Sequence, residues 1–523
     1  MNRSSLALVF LVSLLSACAG PAPVRRDVVI GLVGEPSSVF ADDPNARVLA
    51  AAVTEPLVAQ DARGDFVARL ASEVPTIENG GLRIVTDDPL SPGGRLVATF
   101  RLRDGLRWQD GEPITAADVR FAHDIDVTAT PGSMVRWRAD RIEAIEVVDD
   151  HTARVVYRGD ERWTDYPIAP RVLPRHLLAN ADAAKRAEYA REPVHAGPFS
   201  VAAWVAGYGV TLAAYKDHVG GAPGLGRLVV RFFPDRTAIL DALRRGDVDV
   251  APSPTVEADL ARTLDRFADA NRLEVYFTAA EAFEVMRFSP HGRFAEPAVR
   301  KAVELAVDRQ GIVDDIFAGR ARVPRSYLVP PLWAAVESGP IARPDRDAAR
   351  ALLAQAGYHR GTYGILERDT DRMTVTLLVV AGSVGRQDAA ARVAGDLAAI
   401  GIAVDVRARP LSEILALVAK GDFDLALGPV VADDADRATE GWKGQAGPWF
   451  DVLAEAARRA PGADEKRPLY AELQRIWSNG LPGLPLYQRL RVDIAARSLA
   501  GIQAPPQDEA LTWNVAEWRF NLP

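Results

Sequence analysis

The sequence predicts an α/β protein built on mixed sheets, and three observations carry that expectation. Short apolar runs alternate with amphipathic helical stretches along almost all of the 523 residues, the pattern of strands interleaved with helices. The composition, 48% hydrophobic and 25% charged with 40 Gly and 36 Pro, belongs to a chain with a packed interior and excludes collagen, coiled coil and disorder. At roughly 100 to 200 residues per domain, the length corresponds to about three domains or two large lobes. The formal charge of −8, without basic blocks, gives nucleic acid no electrostatic footprint.

At the amino terminus Arg3 precedes an apolar run from Leu6 to Leu15, the pattern of a secretory signal and too short to span a bilayer stably. The run ends in Leu15-Ser16-Ala17-Cys18, which resembles the lipobox of bacterial lipoproteins and holds the one cysteine of the chain. Residues 1 to 17 are therefore expected to be removed as a signal peptide, and residues 18 to 26 to form a tether lipidated at Cys18. No later run supplies about 18 apolar residues, so the protein is expected outside the cytoplasm, held to a membrane by lipid.

A strand opens the folded part at Arg26 to Leu32. Thr115 and Asp118 have the spacing of a capping box, in which hydroxyl and carboxylate satisfy the first free N–H groups of a helix, and a helix over Val119 to Ile125 follows. Asp235 caps a helix over Thr237 to Arg245 that Gly246 ends, and Asp247-Val248-Asp249-Val250 resumes an extended path. Pro297 suits a first helical position, with Val299, Val303, Ala306 and Val307 recurring at helical spacing. Asp345 and Gly357 bracket the next helix. Gly401 closes one that starts near Gln387, and Ile402 to Val406 is a short apolar strand.

Catalytic patterns do not occur. The seven histidines are scattered, none at i, i+4 from another and none beside a cysteine, so no metal cage is expected. There is no G-x-S-x-G, P-loop or G-x-G-x-x-G. Asp149-Asp150 and Asp314-Asp315 read as solvated acidic faces. The expectation is a protein that is not an enzyme and uses no cofactor.

Trp108, Asp110, Gly111, Pro113, Ile114, Thr115, Ala116, Asp118 and Val119 form the pattern W-x-D-G-x-P-[LIV]-T-A-x-D-V. In it the chain resembles the family 5 solute-binding proteins, the peptide and nickel binders of bacterial ABC importers. Other segments follow in the order of that family: Gly34-Glu35-Pro36, Thr54-Glu55-Pro56-Leu57, Ala196-Gly197-Pro198-Phe199 ahead of Trp204, Tyr215-Lys216-Asp217-His218, and Gly246-Asp247-Val248-Asp249. Phe294 to Ala302, Ala306 to Arg309, Gly401 to Val404 and Leu484 to Tyr487 complete the series, so the resemblance runs from residue 27 to about 490.

The resemblance implies a two-lobed periplasmic-binding-protein fold of type II, in the three-domain variant of the peptide binders. The first domain would be discontinuous, residues 27 to 50, 193 to 278 and 488 to 523. Residues 51 to 192 would form an inserted second domain and 279 to 487 the opposing lobe, closing on ligand about the hinge crossings.

A peptide bound regardless of side chain has to be held by its ammonium, its carboxylate and its backbone. In the peptide-binding members an Asp after a G-W-x-x-D strand end takes the α-amino group, and the resemblance puts Asp433 there. This chain departs from the pattern nearby: Pro429 or Val430 replaces the Trp, Arg437 replaces a Pro, and Pro429 has no N–H for a ligand backbone. Arg386, after the strand Val375 to Val380, corresponds to the position from which dipeptide binders reach the ligand carboxylate. Glu35 and Tyr487 align with cleft walls, the alternatives being an ordinary turn residue and a core aromatic, and Trp442 and Trp449 either stack on ligand side chains or pack inside the protein.

The implied partners are a peptide or peptide-like small ligand, the permease subunits of an ABC transporter and, through the lipid on Cys18, a membrane. A monomer in the periplasm or at the cell surface is expected. Alternatives on the same fold exchange the peptide for a nickel chelate, an oligosaccharide or an opine-like molecule. One of another class makes the chain a secreted enzyme or a sensory receptor domain.

Overall fold

The computed structural model describes residues 27 to 521 except 64, 86 to 93, 132, 159 to 168, 337 to 340, 433, 461 to 462 and 507 to 508, so the expectations on residues 1 to 26, Cys18 included, and on Asp433 lie outside the described residues. A ten-stranded mixed sheet forms the backbone of the molecule. Its order is Ala403–Arg409, Thr374–Val380, Leu425–Val431, Leu273–Phe288, Gly483–Ala496, Val250–Ala251, Asp27–Val33, Arg227–Phe233, Gly209–Ala214 and Phe199–Val205. The central pair, Leu273–Phe288 of 16 residues and Gly483–Ala496 of 14, makes a long antiparallel ribbon. Leu273 to Ala279 with Leu490 to Ala496 form the end that joins Val250–Ala251 and Asp27–Val33. Phe283 to Arg287 with Gly483 to Gln488 form the end that joins Leu425–Val431. Between them the register slips, from Ala279 to Phe283 and again at Glu284 and Val285. The result is the expected two-lobed fold, with the ribbon shared by both lobes.

Within each lobe the parallel pairs require crossovers, and helices supply them. Asp27–Val33 is parallel to Arg227–Phe233, and Thr374–Val380 reaches its parallel neighbour Ala403–Arg409 through the helix Val384–Ala399. Strands covered on both faces carry apolar residues at successive positions. Val28, Ile30 and Leu32 meet Val48, Leu49, Leu511 and Trp518, while Val29 turns to the other face. In the second lobe Leu377, Val379, Leu425 and Leu427 pack with Val299, Val303, Ala389 and Val393. An aromatic cluster of Tyr327, Trp442, Phe450, Tyr470 and Trp477 fills its far side. Leu82–Val85, Arg95–Arg101, Thr152–Tyr157 and Ile142–Asp149 form a separate antiparallel sheet around Phe100, Trp108 and Tyr157.

Helix ends follow their local chemistry. Thr115 and Asp118 form the capping box of Ala116–Asp126, Asp235 caps Arg236–Arg245, and Gly246 ends that helix in the left-handed conformation at φ 73°. Pro297 starts Pro297–Ala306 and Asp345 caps Arg346–Gln355. The helix expected from Gln387 begins earlier, at Val384, because the Ser383 hydroxyl caps it.

The segments that carry the family resemblance work as struts. Gln109 donates through Nε2 to the carbonyls of Gly197 and Phe199, at 3.1 and 2.9 Å, and its Oε1 accepts from the His195 N–H. Gly197 lies so close to the helix Pro44–Val53 that a Cβ would stand 2.2 Å from the Val53 carbonyl, which explains a glycine there. The buried Glu55 binds His218 Nε2 at 2.6 Å and Arg69, and Asp249 accepts from the Val29 N–H at 2.8 Å.

Candidate functional site

Where the ribbon changes register, Glu284 stands opposite Tyr487 on one side and Pro429 on the other. A carboxylate inside the apolar run Phe283 to Phe288 requires a partner, and the crossover after Thr374–Val380 provides it. Ser383 accepts from the Arg386 N–H, and Arg386, in the first turn of Val384–Ala399, turns its side chain back to Glu284. Nε and Nη2 donate to the two carboxylate oxygens at 2.8 and 2.7 Å, and Nη1 donates to the Val380 carbonyl at 3.0 Å. Relative exposure is 6% for Arg386 and 1% for Glu284. Burial works against the Arg386 charge, but the hydrogen bonds and charge of Glu284 outweigh it and hold its pKa above the ordinary guanidinium value. Arg489, half exposed, brings its Nε to 3.8 Å from Glu284 Oε1, so two guanidiniums surround one carboxylate.

The facing lobe closes on this cluster through the segment 252 to 257. Ser383 donates from Oγ to Glu257 Oε2 at 3.4 Å. Asp493 anchors the segment: its Oδ1 accepts from the Ser253 N–H at 2.7 Å, and full burial raises its pKa.

Beside Glu284 lies an open sheet edge. Leu425–Val431 pairs with Leu273–Phe288 along its whole length, whereas Thr374–Val380 covers only Leu425 to Leu427. The Ala432 N–H donates to the Glu281 carbonyl and the Ser289 N–H to the Asp424 carbonyl. By the alternation of an antiparallel ladder, even-numbered residues then bond to the long strand, and Pro429 and Val431 turn their backbone groups outward. Among the described residues no strand pairs with that outward edge. Val431 is 52% exposed there.

The residues singled out in the sequence separate in the structure. The Arg386 fork is occupied by Glu284, so its charge is matched from within. Glu35 accepts from Trp204 Nε1 at 2.7 Å and from the Gly207 N–H at 2.6 Å, with Arg191 at 3.8 Å. The Trp204 hydrogen bond above all lowers its pKa, and the carboxylate fastens the end of Asp27–Val33 to the hairpin of Phe199–Val205 and Gly209–Ala214. Tyr487 is buried, its ring 4.5 Å from that of Phe317. Trp442 has no exposed surface: Trp477 packs edge-on at 5.0 Å and the Arg287 guanidinium covers its face at 3.9 Å. That packing corrects the expectation that Trp442 stacks on a ligand, and Trp449, 76% exposed, is the open indole. Next to Asp433, Asp434 caps Ala435–Glu440 by accepting from the Arg437 N–H at 2.8 Å, and Asp436 binds Lys466 at 3.3 Å and the Tyr470 hydroxyl.

Glu284 and Arg489 were not among the expected site residues. The available signal was a lone acid within Phe283-Glu284-Val285-Met286, since a charge in a buried strand implies a buried counter-charge. Among the described residues no three His, Cys, Asp or Glu side chains gather to hold a metal.

Two lobes on a shared ribbon, with an internally neutralised acid and an open strand edge at their junction, define a two-lobed solute-binding protein. The family model of the bacterial extracellular solute-binding proteins, family 5, middle part, matches residues 90 to 447, and the chain belongs to that family. It is a family of ABC-transporter binding proteins and not of enzymes. Protein XP55 of Streptomyces lividans is 28% identical over 508 residues, covering 90% of this chain and 87% of the relative. Di/tripeptide-binding protein 2 of Pseudomonas aeruginosa is 26% identical over 455 residues, 79% of this chain and 82% of the relative. The oligopeptide-binding protein AppA of Bacillus subtilis, solved in complex with a nonapeptide, shares the fold at a TM-score of 0.67 and 21% identity, over 95% of this chain and 99% of that one. The family is extracytoplasmic, and among the described residues no helix is long and apolar enough to cross a membrane.

Proposed function

We propose that this chain captures a peptide-like solute between its lobes and delivers it to the permease of an ABC importer, tethered to the membrane by lipid on Cys18. The observation that supports peptide capture is the open edge at Pro429 and Val431, because a peptide backbone can complete a sheet edge whatever its side chains. Peptide-binding relatives such as the di/tripeptide-binding protein favour the same ligand class. Asp433 is the carboxylate assigned to the ligand ammonium, since its neighbours Asp434 and Asp436 already serve a helix cap and Lys466. Arg489, half exposed beside Glu284, takes the place expected of Arg386 for the ligand carboxylate. The hinge is assigned to the register slips at Ala279 to Phe283 and at Glu284.

A clamp of this kind contracts on loading. Small-angle scattering with a saturating short peptide is expected to show a smaller radius of gyration, and an unchanged curve for a peptide that calorimetry shows to be bound would remove the closing-lobe reading. For the anchor, Cys18→Ser is expected to move the mature protein from the membrane fraction to the soluble one; unchanged fractionation would count against lipidation.

A further inference from the structure

We propose that the second lobe carries a binding site for a small oxyanion, a carboxylate or a phosphate, in a cavity where Arg309 and Ser326 lie beside the helix Ala463–Gly480. The cavity has a volume of about 300 Å³, room for several heavy atoms, and its polar lining comes from Glu304, Arg309, Arg325, Ser326, Gln474 and Arg475. None of the residues that line it belongs to the Glu284 cluster or to the open strand edge, so the proposal stands apart from the peptide reading.

The ligand chemistry follows from groups that the fold buries without matching. Arg309 starts the helix Arg309–Ile316, and its side chain is only 10% exposed. A buried guanidinium is ordinarily held by charge-assisted bonds of about 2.7 to 2.9 Å. Here Nη1 donates to the carbonyls of Pro324 and Pro485 at 3.4 and 3.3 Å, and the Glu304 carboxylate stands 4.0 Å from Nη2. Glu304 itself binds Lys301 at 2.5 Å. Burial lowers the Arg309 pKa; Glu304 opposes the shift and the nearby charge of Arg325 adds to it, an imbalance that a bound anion relieves. Ser326 is 5% exposed, and its Oγ has no hydrogen-bond partner among the described residues.

Two other polar walls are committed. Gln474 donates to the carbonyls of Ala334 and Tyr470 at 2.8 and 3.0 Å and accepts from the Val336 N–H at 3.1 Å. Arg475 holds both oxygens of Glu472, at 2.7 and 2.5 Å. Ser478 donates to the Arg325 carbonyl at 3.1 Å and so ties the segment that carries Ser326 to the helix. The Arg309 fork and the Ser326 hydroxyl together offer donors to a negatively charged group rich in acceptors.

Calorimetric titration of the whole mature chain with succinate, inorganic phosphate and, as an uncharged counterpart, succinamide tests the site at constant ionic strength. Saturable binding is expected for the anions and not for succinamide, and the tighter of the two anions tells a carboxylate source from a phosphate one. Arg309→Met keeps an unbranched side chain without the charge and is expected to weaken the anion roughly 10- to 150-fold, and Ser326→Ala roughly 2- to 12-fold. Absence of saturable binding by either anion, equal binding of succinamide, or an anion affinity left unchanged by either substitution would overturn the proposal, the last because the anion is then bound elsewhere. Should Arg309→Met fail to fold, Ser326→Ala decides alone.

Discussion

Glu284→Gln is expected to lower the unfolding free energy by about 3 to 5 kcal/mol, the usual loss when one partner of a buried ion pair is removed. The substitution keeps the volume and removes the charge. Of the two hydrogen bonds from Arg386, the glutamine oxygen can accept one, while its amide nitrogen sets a donor against a donor. Arg386 then stays charged at 6% exposure, with Glu257 as the remaining carboxylate that acts on it. The double variant Glu284→Met with Arg386→Met removes both charges and is expected close to wild type, because packed apolar groups replace buried ion pairs at little cost. Urea midpoints for the three proteins decide it. A loss below about 1 kcal/mol in the single variant would mean a solvated pair, comparable to a surface bridge.

This pair also marks where the sequence stops being legible. Caps are local, so Thr115 with Asp118, Asp235, Pro297 and Asp345 announce their helices within four residues, and each helix begins where they stand. Glu284 and Arg386 are 102 positions apart and belong to different elements, so only the register of the ribbon brings them together. The two tryptophans make the same point. Trp442 and Trp449 lie in one short stretch of similar composition, and the difference between zero and 76% exposure comes from Trp477 and Arg287, which reach Trp442 from other parts of the chain. The motifs that identify the family were legible for another reason. Gln109, Gly197, Glu55 and Asp249 make contacts that fix the frame of this chain, and so they report the fold and say little about the ligand.

Ligand chemistry is therefore best tested at Asp433, for which Asp433→Asn is expected to weaken peptide binding by about 2 to 5 kcal/mol, roughly 30-fold to several-thousand-fold. Asparagine keeps the shape and removes the countercharge, so an ammonium enclosed between the lobes is left poorly compensated. The neighbouring acids are poor substitutes, because Asp434 is engaged in the cap of Ala435–Glu440 and Asp436 by Lys466 and Tyr470. N-acetylation of the peptide removes the same charge pair from the other side. It is expected to cost a similar amount in the wild type and little more in Asp433→Asn, since two changes that delete one interaction are not additive. Calorimetric titration of both proteins with free and acetylated tripeptide closes the cycle. Fully additive losses, or no loss on acetylation, would mean that Asp433 does not hold an amino terminus, and would shift the reading from a peptide to a chelate, sugar or opine-like ligand on the same frame.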